Sequence, residues 1–185
     1  VGDVLPISPP RNLFPLNETT EGSVLIAGGI GITPIFAMLK RLVELGRKVD
    51  LIYSARSKSD AAFAEKIFKL QQNCEKENIS FSANFHFDDE LGGPPNLQAL
   101  LSSHKKEAHF YCCGPTPMLD AFELACTELG FPNVHLERFS AKKDVTAPAI
   151  PGYQVQLKKS GRTLLIPAGV SLLDSLLQAG VSLDY

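Results

Sequence analysis

The sequence predicts an α/β fold built on a doubly wound, five-stranded parallel sheet, and three observations carry that expectation. Short apolar runs alternate with amphipathic helical patterns from residue 23 to residue 139. The first run, 24–27, contains no polar position, as suits a strand buried on both faces of a parallel sheet. A strand, a turn and a Thr-Pro helix start then occur twice, once through Gly28-Gly29-Ile30-Gly31-Ile32-Thr33-Pro34 and again over 108–117. Repeated strand–helix–strand units close into a sheet through right-handed crossovers.

Each element follows from local signals. After strand 23–27, Gly28, Gly29 and Gly31 permit tight curvature and bring bare amides close to a ligand. Thr33 is the expected N-cap and Pro34 the first residue of a helix running to 45. Ile35, Met38, Leu39 and Leu42 form its apolar face, and Gly46 stops it. Strand 49–54 is followed by a helix over 60–72, capped by Ser59, with Glu65, Lys66 and Lys69 on a solvated face. In strand 79–87 the alternation of Ile79, Phe81, Ala83, Phe85 and Phe87 predicts one buried face. A loop over 88–95 leads to a short helix from Leu97, capped by Asn96. Strand 108–113, a helix over 117–129 ended by Gly130, and strand 133–139 complete the sheet.

The flanks differ in character. Residues 1–16 are proline-rich and read as the last strand and exit of an upstream domain. Residues 141–152 have linker composition. Beyond them, 153–157 and 162–166 flank Ser160-Gly161 as a β-hairpin, and Ser171 caps a helix over 172–179 closed by Gly180. A hairpin and one helix are too small to bury a core, so they read as the opening of a second domain. The chain begins at Val1 rather than methionine and stops soon after that helix, so both ends read as cut from a longer protein.

Bulk properties narrow the function. At 44% hydrophobic and 21% charged, with net charge −2, the 185 residues have ordinary globular composition and no basic field for nucleic acid. The longest apolar run is too short to cross a bilayer, and no leader precedes the first strand. Cys74, Cys112, Cys113 and Cys126 lack metal-ligand spacing, and an adjacent pair does not readily form a disulfide. Unpaired thiols fit a reducing cytoplasm. His86, His104, His109 and His135 show no ligand spacing either and read as structural or surface residues, so no metal site is expected.

Two strand ends that each open a helix build one crevice at the carboxyl edge of the sheet. Helix N-termini carry unpaired N–H groups and partial positive charge, which suit a phosphate. The turn is not the ordinary dinucleotide fingerprint. Gly29 and Gly31 fit its start, but Pro34 stands where the third glycine would be. No acid follows the second strand; Ser54-Ala55-Arg56 stand there.

The GGIGITP turn, the Cys113-Gly114-Pro115 turn about eighty residues later, and Glu137-Arg138-Phe139 together resemble the ferredoxin–NAD(P) reductase superfamily. The best match is the phthalate dioxygenase reductase and vanillate demethylase reductase group, in which an FMN barrel, a pyridine-nucleotide domain and a plant-type [2Fe–2S] ferredoxin domain follow in that order. The resemblance implies that residues 1–16 end a flavin barrel, 17–140 form the NAD(P)-binding domain, 141–152 link, and 153–185 begin a β-grasp ferredoxin domain. It places Gly28, Gly29, Ile30, Gly31, Ile32, Thr33 and Pro34 along the nicotinamide and pyrophosphate crevice, with Thr33 near the flavin. Ser54 and Arg56 would meet the adenosine ribose. Cys113, Gly114 and Pro115, with Met118 beyond them, would lie against the nicotinamide, while Glu137, Phe139 and Ser140 would cover the flavin. Cys113, Glu137 and Phe139 are thereby the implied catalytic residues. Hydride transfer requires two stacked rings more than an acid or a base, so the lack of a nucleophilic triad is in keeping.

By the same resemblance, electrons pass from NAD(P)H through FMN to a [2Fe–2S] centre and on to a Rieske-type oxygenase partner. Arg56 and Lys58 suit the 2′-phosphate of NADPH, but the group more often uses NADH, which is the expected donor. The flavin-binding Arg-x-Tyr-Ser segment and the C-x4-C-x2-C cluster run are absent from this sequence. FMN and the cluster are thus implied by the family rather than read from residues. Two alternatives compete: an FAD-type ferredoxin or flavodoxin reductase, and a non-catalytic NAD(P)-binding module. The hairpin and helix after the linker argue against the first, and the second predicts nucleotide binding without flavin.

Overall fold

The computed structural model describes residues 2, 4, 6–139 and 151–181. The chain separates into two compact units, Val1–Ala141 and Lys142–Tyr185.

The first unit holds five parallel strands: β1 (Gly22–Gly28), β2 (Lys48–Ala55), β3 (Phe81–Phe87), β4 (His109–Cys113) and β5 (Val134–Glu137). Their spatial order is β3-β2-β1-β4-β5, the doubly wound parallel sheet expected from the sequence. From β1 the chain winds outward to β2 and β3, then returns to β4 on the other side of β1. The topological switch point therefore lies between β1 and β4.

Side-chain alternation along the strands feeds two cores. Leu25, Ala27, Leu51, Tyr53, Tyr111 and Cys113 pack with α1 (Ile32–Glu44) and α2 (Ala64–Glu77) on one face. Val24, Ile26, Ile52, Phe110 and Cys112 pack with α4 (Leu97–Leu101) and α5 (Thr116–Leu129) on the other. The burial of Ile35, Met38, Leu39 and Leu42 matches the predicted stripe of α1.

Helix starts depart from the sequence expectation. The glycine turn is already wound as a 3-10 turn over Gly29–Gly31, so α1 begins at Ile32 with Gly31 as its cap. Thr33 is therefore no N-cap; it lies inside the helix and its Oγ1 donates to the Ile30 carbonyl at 3.0 Å. Ser59 does not cap α2 either, because Lys58–Asp60 form a separate 3-10 turn. Helix α2 opens later, after Phe63 at φ 62°, and runs to Glu77. Phe63 stacks on Phe36 with centroids 5.0 Å apart, a tertiary contact that accompanies a backbone conformation disfavoured for a bulky residue.

Strand β3 is the sheet edge, so its predicted buried face is only partly covered. Phe81 is buried, while Ala83, Phe85 and Phe87 are half-buried. The segment read as a loop contains a short helix, α3 (Asp88–Leu91), ended by Gly92 at φ 77°. The expected caps elsewhere form: Asn96 Oδ1 accepts from the Ala99 N–H at 3.1 Å, and Gly130 closes α5 at φ 68°.

No strand forms among the described residues before Gly22. Phe14 instead packs edge-on against Tyr111, and the Asn17 N–H donates to the Tyr111 hydroxyl at 2.9 Å. In the second unit, β6 (Tyr153–Gln156) pairs antiparallel with β7 (Thr163–Ile166), followed by α6 (Leu172–Gln178). Ser171 caps α6, its Oγ accepting from the Asp174 N–H at 3.0 Å. Ser140 and most of the expected linker, residues 141–150, lie outside the described residues.

Three rings stack between β4 and β5. His135 lies 4.5 Å from Tyr111 and 5.3 Å from His109, centroid to centroid. Asn17 Oδ1 accepts from the Thr19 N–H and hydroxyl, which turns its amide nitrogen toward His109 Nε2. An amide nitrogen only donates, so Nε2 is the acceptor and Nδ1 carries the proton given to His135 Nε2 at 3.0 Å. Both imidazoles are thus neutral, and burial holds both below the usual histidine range, His135 further through His109. A depressed histidine contributes stability that is full above its unfolded pKa of about 6.5 and is lost as pH falls through the folded value. The urea midpoint is therefore expected to drop between pH 7.5 and pH 5.5, and His135→Phe, which keeps the stack, to flatten that dependence.

Candidate functional site

At the switch point the two turns read from the sequence meet backbone to backbone. A Cβ added at Gly31 would strike the Cys113 carbonyl and lie 2.8 Å from the Gly114 nitrogen. One added at Gly28 would stand 2.8 Å from Pro115 Cδ, and one at Gly114 would stand 2.8 Å from Met118 Sδ. Glycine is required at these positions because β1 and β4 are adjacent and their exit loops share one narrow space.

Above this contact opens a cavity of about 760 Å³. Of the sequence-predicted residues, Gly28, Gly29, Ile30, Gly31, Ser54, Arg56, Gly114, Pro115, Met118 and Phe139 line it. The others are placed elsewhere. Ile32 is fully buried under α1, Thr33 is exposed on it, and Pro34 sits beside Thr33 in its first turn. Cys113 is buried in the core, with only its carbonyl edge against Gly31. Glu137 is half-buried at the end of β5, in register with Cys113.

Several lining residues carried no motif signal. Asp60 and Asp88 stand on the same wall as Ser54 and Arg56. Asp88 follows β3, more than thirty positions from Ser54, and only the pairing of β2 with β3 makes them neighbours. Arg138 lines the wall below Phe139, and its Nη2 donates to Asp120 Oδ1 at 3.1 Å and Glu123 Oε2 at 2.5 Å, both on α5. Those bonds fasten the exit of β5 to the first turns of α5. Phe139 follows directly and is 59% exposed, presenting an apolar ring at the rim.

The cavity has the character of a site for a long, partly anionic, ring-bearing ligand. Its floor is bare glycine backbone at the start of α1, where unpaired N–H groups and the helix dipole favour a phosphate. One end carries an exposed arginine with two carboxylates, the other proline, methionine and phenylalanine. A second cavity, of about 880 Å³, lies at the opposite edge, around Gly22–Val24, Lys48 and Ser82. It lies at the amino ends of the strands beside α4 and contains neither glycine turn.

The four cysteines are free and buried. Burial pushes Cys113 up to about 11, with Glu137 adding to the shift, and Cys126 up to about 11. Cys112 is raised further, and Cys74 is raised as well, in each case chiefly by burial. A thiol reagent at pH 8 is expected to titrate none of the four cysteines in the folded protein and all four in denaturant. Among the described residues no group of three or more His, Cys, Asp or Glu is arranged to hold a metal. No helix there is long and apolar enough to cross a membrane.

Comparison with known proteins agrees with this geometry. The chain is 43% identical to the phenoxybenzoate dioxygenase subunit beta of Ectopseudomonas oleovorans over 98% of its own length and 54% of that protein's. It is 38% identical to the tetrachlorobenzoquinone reductase of Sphingobium chlorophenolicum, over its full length and 56% of the relative's. The solved structure of phthalate dioxygenase reductase, described as modular for electron transfer from pyridine nucleotides to [2Fe–2S], superposes with a TM-score of 0.58. That match has 29% identity and covers 95% of this chain and 53% of that one. The chain thus spans about half the length of the relatives it matches. Residues 25–123, which run from β1 through the first half of α5 and carry both glycine turns, match the oxidoreductase NAD-binding domain family, and the chain belongs to it.

Proposed function

We propose that this chain is the pyridine-nucleotide part of a reductase that takes electrons from NAD(P)H, passes them through FMN to a [2Fe–2S] centre and delivers them to a Rieske-type oxygenase. The observation that carries the reading is the crevice between β1 and β4, floored by Gly28, Gly31 and Gly114 and ending at Phe139. Similarity to reductase components of oxygenase systems supports it.

The glycine floor fits a dinucleotide, since a Cβ at Gly28, Gly31 or Gly114 would strike the opposite turn or Met118 and force apart the two turns whose bare backbone forms the floor. In this reading the amides of the Gly29–Gly31 turn bind the pyrophosphate, and Ser54 and Arg56 meet the adenosine ribose. Gly114, Pro115 and Met118 form the wall that orients the nicotinamide, with Cys113 and Glu137 packed behind that wall. Phe139 excludes water from the ring's outer face. The nicotinamide, when bound, supplies the hydride; the chain's own task is to hold the ring in line and dry. The described residues offer no set of ligands for an iron–sulfur cluster, so the cluster is assigned to other parts of the protein. Residues 1–16 are assigned to the end of a flavin barrel, 17–140 to the nucleotide domain, 141–152 to a linker, and 153–185 to the start of a β-grasp ferredoxin domain.

An absorption spectrum of the full product of the parent gene, taken before and after anaerobic NADH, tests the proposal. Flavin and iron–sulfur bands that both bleach are expected. A colourless protein that still binds NAD(P)H would leave only the nucleotide-binding module. Charge reversal at Arg56 offers a narrower test. Arg56→Glu is expected to weaken NADPH roughly tenfold, and NADH far less, because a 2′-phosphate adds charge beside this side chain. Equal affinities before and after the change would remove Arg56 from the site.

A further inference from the structure

Beneath the glycine turn stands a tyrosine that the fold hides completely. Tyr53, near the end of β2, is fully buried in the core on the α1 and α2 side, with its ring 5.8 Å from that of Phe85. A hydroxyl in such a core needs a partner, and this one donates to the Gly29 carbonyl at 3.4 Å. The Ile32 N–H reaches the same carbonyl, so the oxygen is held from two sides. From the loop after β2, the Ala62 N–H faces the hydroxyl. That loop carries Asp60, on the cavity wall, and is pinned to α1 by the stack of Phe63 on Phe36.

A trans peptide points its N–H opposite to its C=O. The Gly29 carbonyl and the Ile30 N–H belong to one such peptide. A carbonyl drawn down toward Tyr53 therefore turns that N–H up, away from the core. Gly29 and Ile30 both line the cavity, and Ile30 is 67% exposed. Gly29 has φ 52° and nothing within 4 Å of an added Cβ, so no packing on that side steadies the peptide.

We infer that Tyr53 is a positioning residue for the phosphate-binding turn: its hydroxyl fixes the Gly29–Ile30 peptide with the N–H toward the crevice, where it donates to a phosphate oxygen of the bound dinucleotide. The inference rests on the nucleotide reading above. Without the hydroxyl, a peptide that begins at glycine has more freedom to rotate and present its carbonyl, whose partial negative charge repels a phosphate. Tyr53 itself lies outside the cavity lining, so Tyr53→Phe removes the bond, keeps the ring against Phe85 and takes no group away from the ligand.

Equilibrium titration of the full chain with NADH and with ADP tests the assignment. Tyr53→Phe is expected to raise both dissociation constants about fivefold. Tyr111→Phe is the control. Tyr111 is equally buried on the same side of the sheet, but its hydroxyl accepts the Asn17 N–H and it does not line the cavity. Losing that hydroxyl should leave both affinities as they were. Heteronuclear NMR of the unaltered chain adds a direct reading: saturating ADP should move the Ile30 amide proton downfield, as an N–H that gains a charged acceptor does. Unchanged affinities in a folded Tyr53→Phe, equal weakening in both tyrosine variants, or an Ile30 amide that stays in place while ADP binds would each overturn the assignment and leave the nucleotide reading intact. Failure of the unaltered chain to bind either ligand would overturn both.

Discussion

Gly31→Ala is expected to abolish measurable NAD(P)H binding and to destabilise the first unit by about 3 kcal/mol, the upper end of overpacking costs. The backbone is not the obstacle, since Gly31 has φ −59°, a conformation open to any residue. The obstacle is the Cys113 carbonyl, which occupies the space of the new methyl group and belongs to a central strand that cannot retreat. Relief requires β1 and β4 to separate at their carboxyl ends, where the crevice is formed. Gly29→Ala provides the contrast. Gly29 has φ 52° with nothing near an added Cβ, so its cost is conformational and about 1 kcal/mol. Thermal melts with nucleotide titration of both variants check the pair. Wild-type affinity in Gly31→Ala would mean that the two turns are not packed as described.

Phe110→Ala should cost about 3–5 kcal/mol of stability, as expected for truncating a buried phenylalanine. Phe110 is fully buried on β4 and stacks on Phe131 with centroids 4.0 Å apart, and His104 meets its edge at 6.2 Å. Strands on either side prevent collapse into the space left behind. Urea unfolding followed by far-UV circular dichroism reads the loss. A cost below about 1 kcal/mol would show that the α4 and α5 side of the sheet closes over the cavity.

The strands and most helices were legible because each carries its own periodicity: the apolar run before Gly28, the stripe of Ile35, Met38, Leu39 and Leu42, and the caps Asn96 and Ser171. Helix starts were less legible where the turn was itself helical. Thr33 and Ser59 have capping chemistry, but capping needs an extended residue at that point, and the chain there is already wound. Phe63 could not be foreseen as a helix entry, since a left-handed phenylalanine accompanies a ring stacked on it from another helix. The site divides in the same way. Gly28, Gly31 and Gly114 announce themselves, because close backbone approach demands glycine whatever the neighbour. Asp88 and Arg138 do not, because an acid or an arginine alone reads as solvated surface until a second element is brought beside it.

By itself, then, the sequence determined the α/β class, the five parallel strands and the two glycine turns that build one crevice. Those features depend on residues near in the chain, where periodicity and glycine act locally. Only the tertiary structure decided which distant groups share the crevice wall, that Cys113 offers it a carbonyl edge rather than a thiol, and that Asp88 stands beside Ser54. The reason is strand order: the pairing of β2 with β3, and of β1 with β4, sets side chains next to one another that no local spacing connects.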